Sequence, residues 1–336
     1  MTSSIPPLPP NAYVARSSVD LIALVPLVLG FHPQDSVVLL TFGGPGRSFH
    51  ARVDLPVSAG DQEDVADVLG QAVSANHLAR AALVLYSEDE QVCAAMSARV
   101  VERLGRLGCE VLDVLRVDDG LWFELPEDGS PGTPYDLQTH PFTARHVFEG
   151  KVVHGDRAAL ADTLIGTDED DALAVAQSAT RFADVLLNLD AEPAVLRTEA
   201  RWVRRRVRQR VRDSRVLDVG DAARLLVLAA LKPTRDVAWA EVTRRGAVPH
   251  VELWRELVRR APRHLVPGAA SLLAFAAWQG GDGALAWCAI DRALEVDPDC
   301  TLAQLVGELL TAAVSPDVWE PLSDADLPVL GPDRAS

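Results

Sequence analysis

The residues best suited to chemistry lie in three short stretches of this 336-residue chain. In the first stretch, His32, Asp35 and Ser36 fall within five residues at a predicted helix-to-strand corner. A His, a carboxylate and a hydroxyl could together bind a polar ligand. The same residues suit an ordinary turn, because Asp35 or Ser36 can hydrogen-bond nearby backbone N–H groups. The members of a nucleophilic triad normally come from distant positions, so we predict no catalytic residue here.

The second stretch runs from Tyr86 to Glu90 and joins the end of a predicted strand to the start of a predicted helix. Open α/β sheets bind ligands at this position, so Tyr86 and Ser87 are also candidate ligand-binding residues. Ser87 and Glu90 have the spacing of a capping box, and acids in a first helical turn complement the helix dipole. A divalent cation is an alternative, but only adjacent carboxylates are visible and we predict no metal ligand.

The third stretch, residues 196–215, contains nine arginines and two acidic residues. Apolar residues recur there every three or four positions, at Leu196, Ala200, Val203, Val207 and Val211. This spacing predicts a helix with one buried face and arginines around the rest. The arginines could bind an acidic protein or nucleic acid, or pair with carboxylates of this chain such as Asp168 to Asp171 or those of the first domain. The predicted partner-binding residues are Arg201, Arg204, Arg205, Arg208 and Arg212.

Composition excludes several classes of protein. Hydrophobic residues make up 48% of the chain and charged residues 24%, as in ordinary folded proteins. The net charge of -16 repels nucleic acid and anionic membranes, so nucleic acid is an unlikely partner and no membrane association is expected. The four cysteines are scattered, which disfavours a zinc site or disulfides and indicates a cytoplasmic location. No phosphate-binding, dinucleotide or nucleophile-elbow motif is present, and we predict no cofactor.

The elements that must position these residues divide the chain into two halves. Residues 18–125 alternate helix and strand, starting with a helix over 18–29 capped by Ser17 and a strand hairpin that turns at 43–46. This alternation predicts an α/β or α+β domain with a mixed sheet and covering helices. After residue 141 the pattern is all-helical, and residues 272–310 resemble one tetratricopeptide-like helical hairpin without a second copy. The predicted divisions are a flexible leader (1–14), a sheet domain (15–125), a loop (126–141), a helical domain (142–315) and a loose tail (316–336).

Four segments together carry a resemblance to a known family. They are the corner Leu29-Gly-Phe-His-Pro-Gln-Asp-Ser-Val-Val38, the upstream Ser18-Val-Asp-Leu-Ile-Ala-Leu-Val-Pro26, the downstream Arg52-Val-Asp-Leu-Pro56, and Gly281-Asp-Gly-Ala-Leu-Ala-Trp287. With these segments, residues 15–315 resemble the actinobacterial domain of unknown function 4192 family. The resemblance implies a bacterial cytoplasmic protein, and it assigns no activity, substrate or catalytic residue.

The sequence thus favours a non-enzymatic protein-binding module that acts through its helical half and the arginine-rich helix. The first alternative is a small-molecule or metal-dependent enzyme whose pocket lies at the strand ends, between the His32–Ser36 corner and the Tyr86–Ser87 segment. That alternative requires the two segments to be close in space. The second alternative is nucleic-acid binding, which requires an exposed arginine face. Whether the protein is an enzyme stays open at this level.

Overall fold

The computed structural model describes residues 13–42, 49–126, 129, 131–189 and 192–330. The chain forms two compact units, Met1–Arg157 and Ala158–Ser336. The first unit contains the strands β1 (Ser36–Phe42), β2 (His50–Asp54), β3 (Arg80–Tyr86), β4 (Glu110–Asp118), β5 (Leu121–Glu124) and β6 (Thr133–Pro134). Its helices are α1 (Ser18–Leu29), α2 (Ala59–Ala75), α3 (Glu90–Arg106) and α4 (Pro141–Phe148).

In the described chain the strands form one six-stranded sheet in the order β2-β1-β3-β4-β5-β6. Within it, β3 and β4 are parallel and the other neighbours pair antiparallel. Parallel neighbours need a crossover connection, and α3 supplies it. The β4–β5 hairpin turns at Asp119 and Gly120, whose positive φ angles of 40° and 76° suit a tight primed turn. The predicted mixed sheet is confirmed, while its predicted turn at 43–46 lies outside the described residues.

The central strands are buried on both faces. Leu39 of β1 and Leu83 of β3 belong to a core that also includes Leu69 of α2 and Met96 of α3. The intervening side chains, such as Val38, are equally buried and point to the opposite face, because successive strand residues alternate. Burial on both faces explains why β1 and β3 are continuous apolar runs.

The second unit is mostly helical, as predicted. Its longest buried element is α11, in which all residues from Val266 to Gln279 are buried. The likeness of the α11 to α13 region to a tetratricopeptide hairpin stays a prediction. Within the described part of the chain, no helix combines the length and the apolar composition that a membrane crossing requires. The helices that follow α4 are α5 (Arg157–Asp162), α6 (Glu169–Asn188), α7 (Pro193–Asp213), α8 (Val219–Ala230), α9 (Lys232–Ala240), α10 (Ala247–Arg260), α11 (Val266–Gly280), α12 (Gly283–Leu294) and α13 (Thr301–Thr311).

Two segments are placed differently from the sequence-based divisions. Helix α4, which we grouped with the helical half, contacts α1, and Nε2 of His140 lies 3.1 Å from Oδ1 of Asp20. Residues 316–330, predicted as a loose tail, contact α7 and α9. The ring of Trp319 lies against three aromatic rings of α9 and α11, which explains why this segment is held in place. Residues 1–12 of the predicted leader lie outside the described residues.

Candidate functional site

The structure brings four of the five predicted ligand-binding residues to one edge of the sheet. Ser36 begins β1 and pairs with Tyr86, the last residue of β3, which in turn pairs with Val117 of β4. Asp35 and Ser87 flank this pair, and Oγ of Ser87 donates to Oδ1 of Asp35 at 3.3 Å. The corner and the Tyr86–Ser87 segment are therefore adjacent, as a shared pocket would require. They lie at the carboxyl ends of the parallel strands, where α/β sheets commonly bind ligands.

Ser87 does not cap helix α3, so the predicted capping box is wrong. The N-cap is Asp89, whose side chain accepts from the backbone N–H of Val92 at 2.9 Å. Because α3 begins at Glu90, Ser87 lies in the loop between β3 and α3. There its hydroxyl accepts from the N–H of Asp89 at 3.3 Å and contacts Asp35. Ser87 thus joins the corner to the strand end.

The hydroxyl of Ser36 is fully engaged in local structure. It donates to the carbonyl of Gln34 and accepts from Nε of Arg52 at 2.8 Å. The ring of His32 is exposed and makes no hydrogen bond to any described residue. Partial desolvation lowers the pKa of His32 from its ordinary value, which favours the neutral ring at pH 7. No hydrogen-bonded relay among His32, Asp35 and Ser36 exists in this arrangement.

A buried arginine at this edge was missed by sequence reasoning. The Arg116 side chain is 7% exposed, and its Nη1 donates to the carbonyl of Ser87 at 3.3 Å. Its guanidinium lies 4.1 Å from the ring centroid of Phe123 and 3.5 Å from the carboxylate of Asp118. The available signal was an arginine between the apolar residues Leu115 and Val117 of β4. Arg116 places a positive charge beneath the loop that carries Ser87.

The second candidate site lies on helix α7. Its buried face consists of Ala200, Val203 and Val207, followed one turn later by Arg210. The apolar pattern predicted Val211 on this face, but Arg210 is the buried residue. Burial of Arg210 is possible because Oε2 of Glu256 on α10 accepts from its Nε at 3.2 Å and its Nη2 at 2.9 Å. The ion pair therefore anchors the arginine-rich helix α7 to α10 within the second unit.

Several arginines of α7 pair with acids of the same unit, as one interpretation of the sequence predicted. Arg208 binds the Glu241 carboxylate with two donors, at 2.6 and 3.1 Å. Arg204 lies between Glu241, at 3.1 Å, and Asp324, which accepts two hydrogen bonds at 2.7 and 3.1 Å. The predicted partner Asp171 instead binds Arg260, at 2.7 and 2.9 Å. The arginine-rich helix is therefore partly neutralised, by acids other than those the sequence suggested.

Four arginines of α7 stay exposed along one side of the helix. Arg201, Arg205, Arg208 and Arg212 lie roughly 80–140° around the axis from the buried Ala200, at about 100° per residue. In the described chain, Arg201 and Arg205 have no ion-pair partner. With Arg204, these four line a groove of about 580 Å³, which we call the arginine groove. Its other lining residues are Gln209, Asp324 and Leu330.

The sequence analysis predicted all five arginines that line the groove, but none of the other lining residues. Asp324 and Leu330 come from the segment predicted as a loose tail. The available signal was charge: this tail is acidic, and an acidic segment can be expected to contact a strongly basic helix. The sequence could not show which acid reaches which arginine. Among the residues that the structure describes, no group of three or more His, Cys, Asp or Glu side chains could hold a metal ion.

Comparison with known proteins gives one result. Residues 19–317 match the family model described as "Domain of unknown function (DUF4192)". This match covers both units and includes α7 and the strand edge. No curated protein and no solved structure matches the chain. The roles of the two candidate sites must therefore be argued from their geometry.

Proposed function

This chain belongs to the DUF4192 family, whose description leaves its function open, and we propose that it is a non-enzymatic module that binds an acidic segment of a partner protein in the arginine groove. The observation that carries the proposal is the row of exposed arginines on α7, two of which have no ion-pair partner among the described residues. A guanidinium presents planar paired donors that fit a carboxylate. A row of them on successive helical turns therefore suits several carboxylates of one partner.

Asp324 supports a carboxylate as the preferred chemistry. Both of its carboxylate oxygens accept hydrogen bonds from Arg204, in the paired geometry typical of arginine and carboxylate. The Arg204 guanidinium holds the pKa of Asp324 below its ordinary value, so the carboxylate stays charged near neutral pH. The groove thus already accommodates one carboxylate from this chain. Arg201, about one turn before Arg204, and Arg205, the residue that follows it, are available to others.

The charge of the whole chain supports a short-range contact with protein rather than with nucleic acid. A net charge of -16 repels a phosphate backbone at long range. At physiological salt, charges are screened beyond about 8 Å, so an acidic side chain placed in the groove interacts chiefly with the local arginines. All four cysteines are free thiols, which supports our proposal that the protein acts in a reducing cytoplasm.

The test uses a charge reversal that spares the fold. Reversing Arg204 or Arg208 would place a carboxylate beside Glu241 and destabilise α7, so neither is suitable. Arg201→Glu with Arg205→Glu changes only exposed groups without an ion-pair partner in the described chain. The matched control is Arg181→Glu with Arg259→Glu, two exposed arginines of α6 and α10 with the same change in charge.

The full-length proteins would be used to capture partners from the native cell extract, and the captured protein would then be purified and titrated against each variant. We expect the wild type and the control to bind it, the groove variant to lose most of the affinity, and added salt to weaken binding. A partner that binds the groove variant equally well would contradict the proposal. Capture that nuclease treatment abolishes, or no capture by any variant, would also contradict it.

A second candidate function is a small-molecule site, with or without a metal, at the sheet edge. The observation that favours it is the contact between Asp35 and Ser87 above the buried Arg116, with Asp35 held at a φ of +40°. Thermal-shift screening with phosphorylated and carboxylated metabolites tests this candidate. A compound that stabilises the wild type and the exposed control variant Asp64→Ala, but not Asp35→Ala, would support it. The absence of any stabilising compound would count against it.

A further inference from the structure

The arginine groove is partly occupied by the chain's own C-terminal segment. Residues 315–330 follow α13 and return along α7 and α9. Asp324 binds Arg204 at one wall of the groove, and Leu330 forms part of another. Any acidic ligand that lies along the arginine row must therefore meet a carboxylate of this segment.

The segment is attached firmly at two places and weakly between them. The ring of Trp319 lies 5.1–6.0 Å from the rings of Trp239, Phe275 and Trp278. Arg244 binds Asp317 nearby at 2.6 Å. Asp324, in contrast, is 75% exposed, and exposed ion pairs contribute little to stability. Beyond Asp324, Leu327 is 2% exposed. Trp319 and Leu327 thus hold the segment close to the groove on either side of Asp324, while the contact of Asp324 with Arg204 is easily exchanged.

We infer that the C-terminal segment is an intramolecular competitor that regulates the groove by holding Asp324 on Arg204 until an acidic partner segment displaces it. This inference rests on the proposed function of the groove. Trp319 keeps the carboxylate at a high effective concentration, so even a weak ion pair competes with a separate ligand. The partner must then either bind several arginines at once or carry more negative charge than Asp324.

The test compares two neighbouring carboxylates. Asp324→Asn removes the competitor's contact with Arg204. Asp326→Asn is the matched control, because it makes the same change in charge two residues away, where the carboxylate accepts hydrogen bonds from Ser323 within its own turn. A fluorescein-labelled polyglutamate peptide serves as the acidic probe, and its binding to the full-length proteins is measured by fluorescence anisotropy at low ionic strength.

We expect Asp324→Asn to bind the probe about two- to fivefold more tightly than the wild type, which is the effect of removing one exposed competing ion pair. Asp326→Asn should bind like the wild type. Equal affinities for the two variants, or weaker binding by Asp324→Asn, would overturn the inference. The Arg201→Glu, Arg205→Glu variant separates the two proposals: if the wild type and this variant both fail to bind the probe, or bind it equally, the proposed function of the groove fails as well.

Hydrogen exchange gives a second, independent measurement. Probe bound to the wild type should speed exchange at the backbone amides of residues 323–326, because Asp324 leaves Arg204. Amides around Trp319 and at residues 329–330 should keep their protection, because the aromatic contacts and the buried Leu327 stay in place. Unchanged or slower exchange at 323–326 when the probe is bound would show that Asp324 is not displaced, and would overturn the inference.

Discussion

Glu256 is predicted to be the most sensitive acidic residue of the helical unit. Its Oε2 accepts from Nε and Nη2 of Arg210, and its Oε1 accepts from the backbone N–H of Leu217 at 2.8 Å and from Nη1 of Arg260 at 3.1 Å. The side chains of Arg210 and Glu256 are only 6% and 14% exposed. Glu256→Gln removes the charge that neutralises Arg210, and the new amide N–H₂ group faces existing donors.

The expected loss in the free energy of unfolding follows from the burial of the charge on Arg210. Removing one partner of a buried ion pair leaves the other charge uncompensated, which typically costs about 3–5 kcal/mol. Arg260 keeps its two hydrogen bonds to Asp171, so most of the cost falls on the buried Arg210. Because domains are stable by only about 5–15 kcal/mol, this loss should be large in an unfolding experiment.

The assay is denaturant unfolding followed by tryptophan fluorescence. Six of the seven tryptophans lie in the second unit, at 202, 239, 254, 278, 287 and 319, so the signal reports mainly on that unit. Glu252→Gln, one turn earlier on α10 and exposed, is the control and should change stability by less than about 0.5 kcal/mol.

A double variant tests the reason for the cost. Arg210→Met removes the buried charge but keeps an apolar side chain of similar length, so Arg210→Met with Glu256→Gln should be more stable than Glu256→Gln alone. A cost below about 1 kcal/mol for Glu256→Gln, close to that of Glu252→Gln, would refute the reasoning. A double variant no more stable than the single variant would refute it too.

Two further predictions concern close packing and pH. A Cβ added at Gly268 of α11 would lie 2.3 Å from the carbonyl oxygen of Ala229, so Gly268→Ala should lower the free energy of unfolding by about 1–3 kcal/mol. Gly105→Ala in α3 has open space and should raise it by about 0.5–1 kcal/mol; equal effects of the two in thermal unfolding would contradict this. Burial lowers the pKa of His250 to about 4, below the ~6.5 of an unfolded histidine. As the pH falls, the unfolded chain therefore binds a proton before the folded chain does. The free energy of unfolding should fall by up to about 3 kcal/mol between pH 6.5 and 4. In the same fluorescence assay, the free energy of unfolding of His250→Gln should fall by correspondingly less over that range.

Local sequence patterns were sufficient to predict most of the elements and their order, but not β6, which lies in the segment 126–141 that was predicted as a loop. The apolar period of two in β2 and of three to four in α7 depends only on residues a few positions apart, which the sequence displays directly. Helix α1 was predicted over Ser18–Leu29 and is confirmed with Ser17 as its cap. The arginine row was likewise visible, because residues three and four apart share a side of a helix.

The tertiary structure decided which of those residues meet. Asp324 reaches Arg204 across 120 positions of sequence, and Ser87 reaches Asp35 across 52. It also made Arg210, rather than Val211, the buried residue, because Glu256 of another helix is there to neutralise it. Such pairings depend on how the chain returns on itself, and no periodicity carries that information. The sequence by itself therefore determined the arginine row, and only the folded chain decided which arginines remain available to a partner.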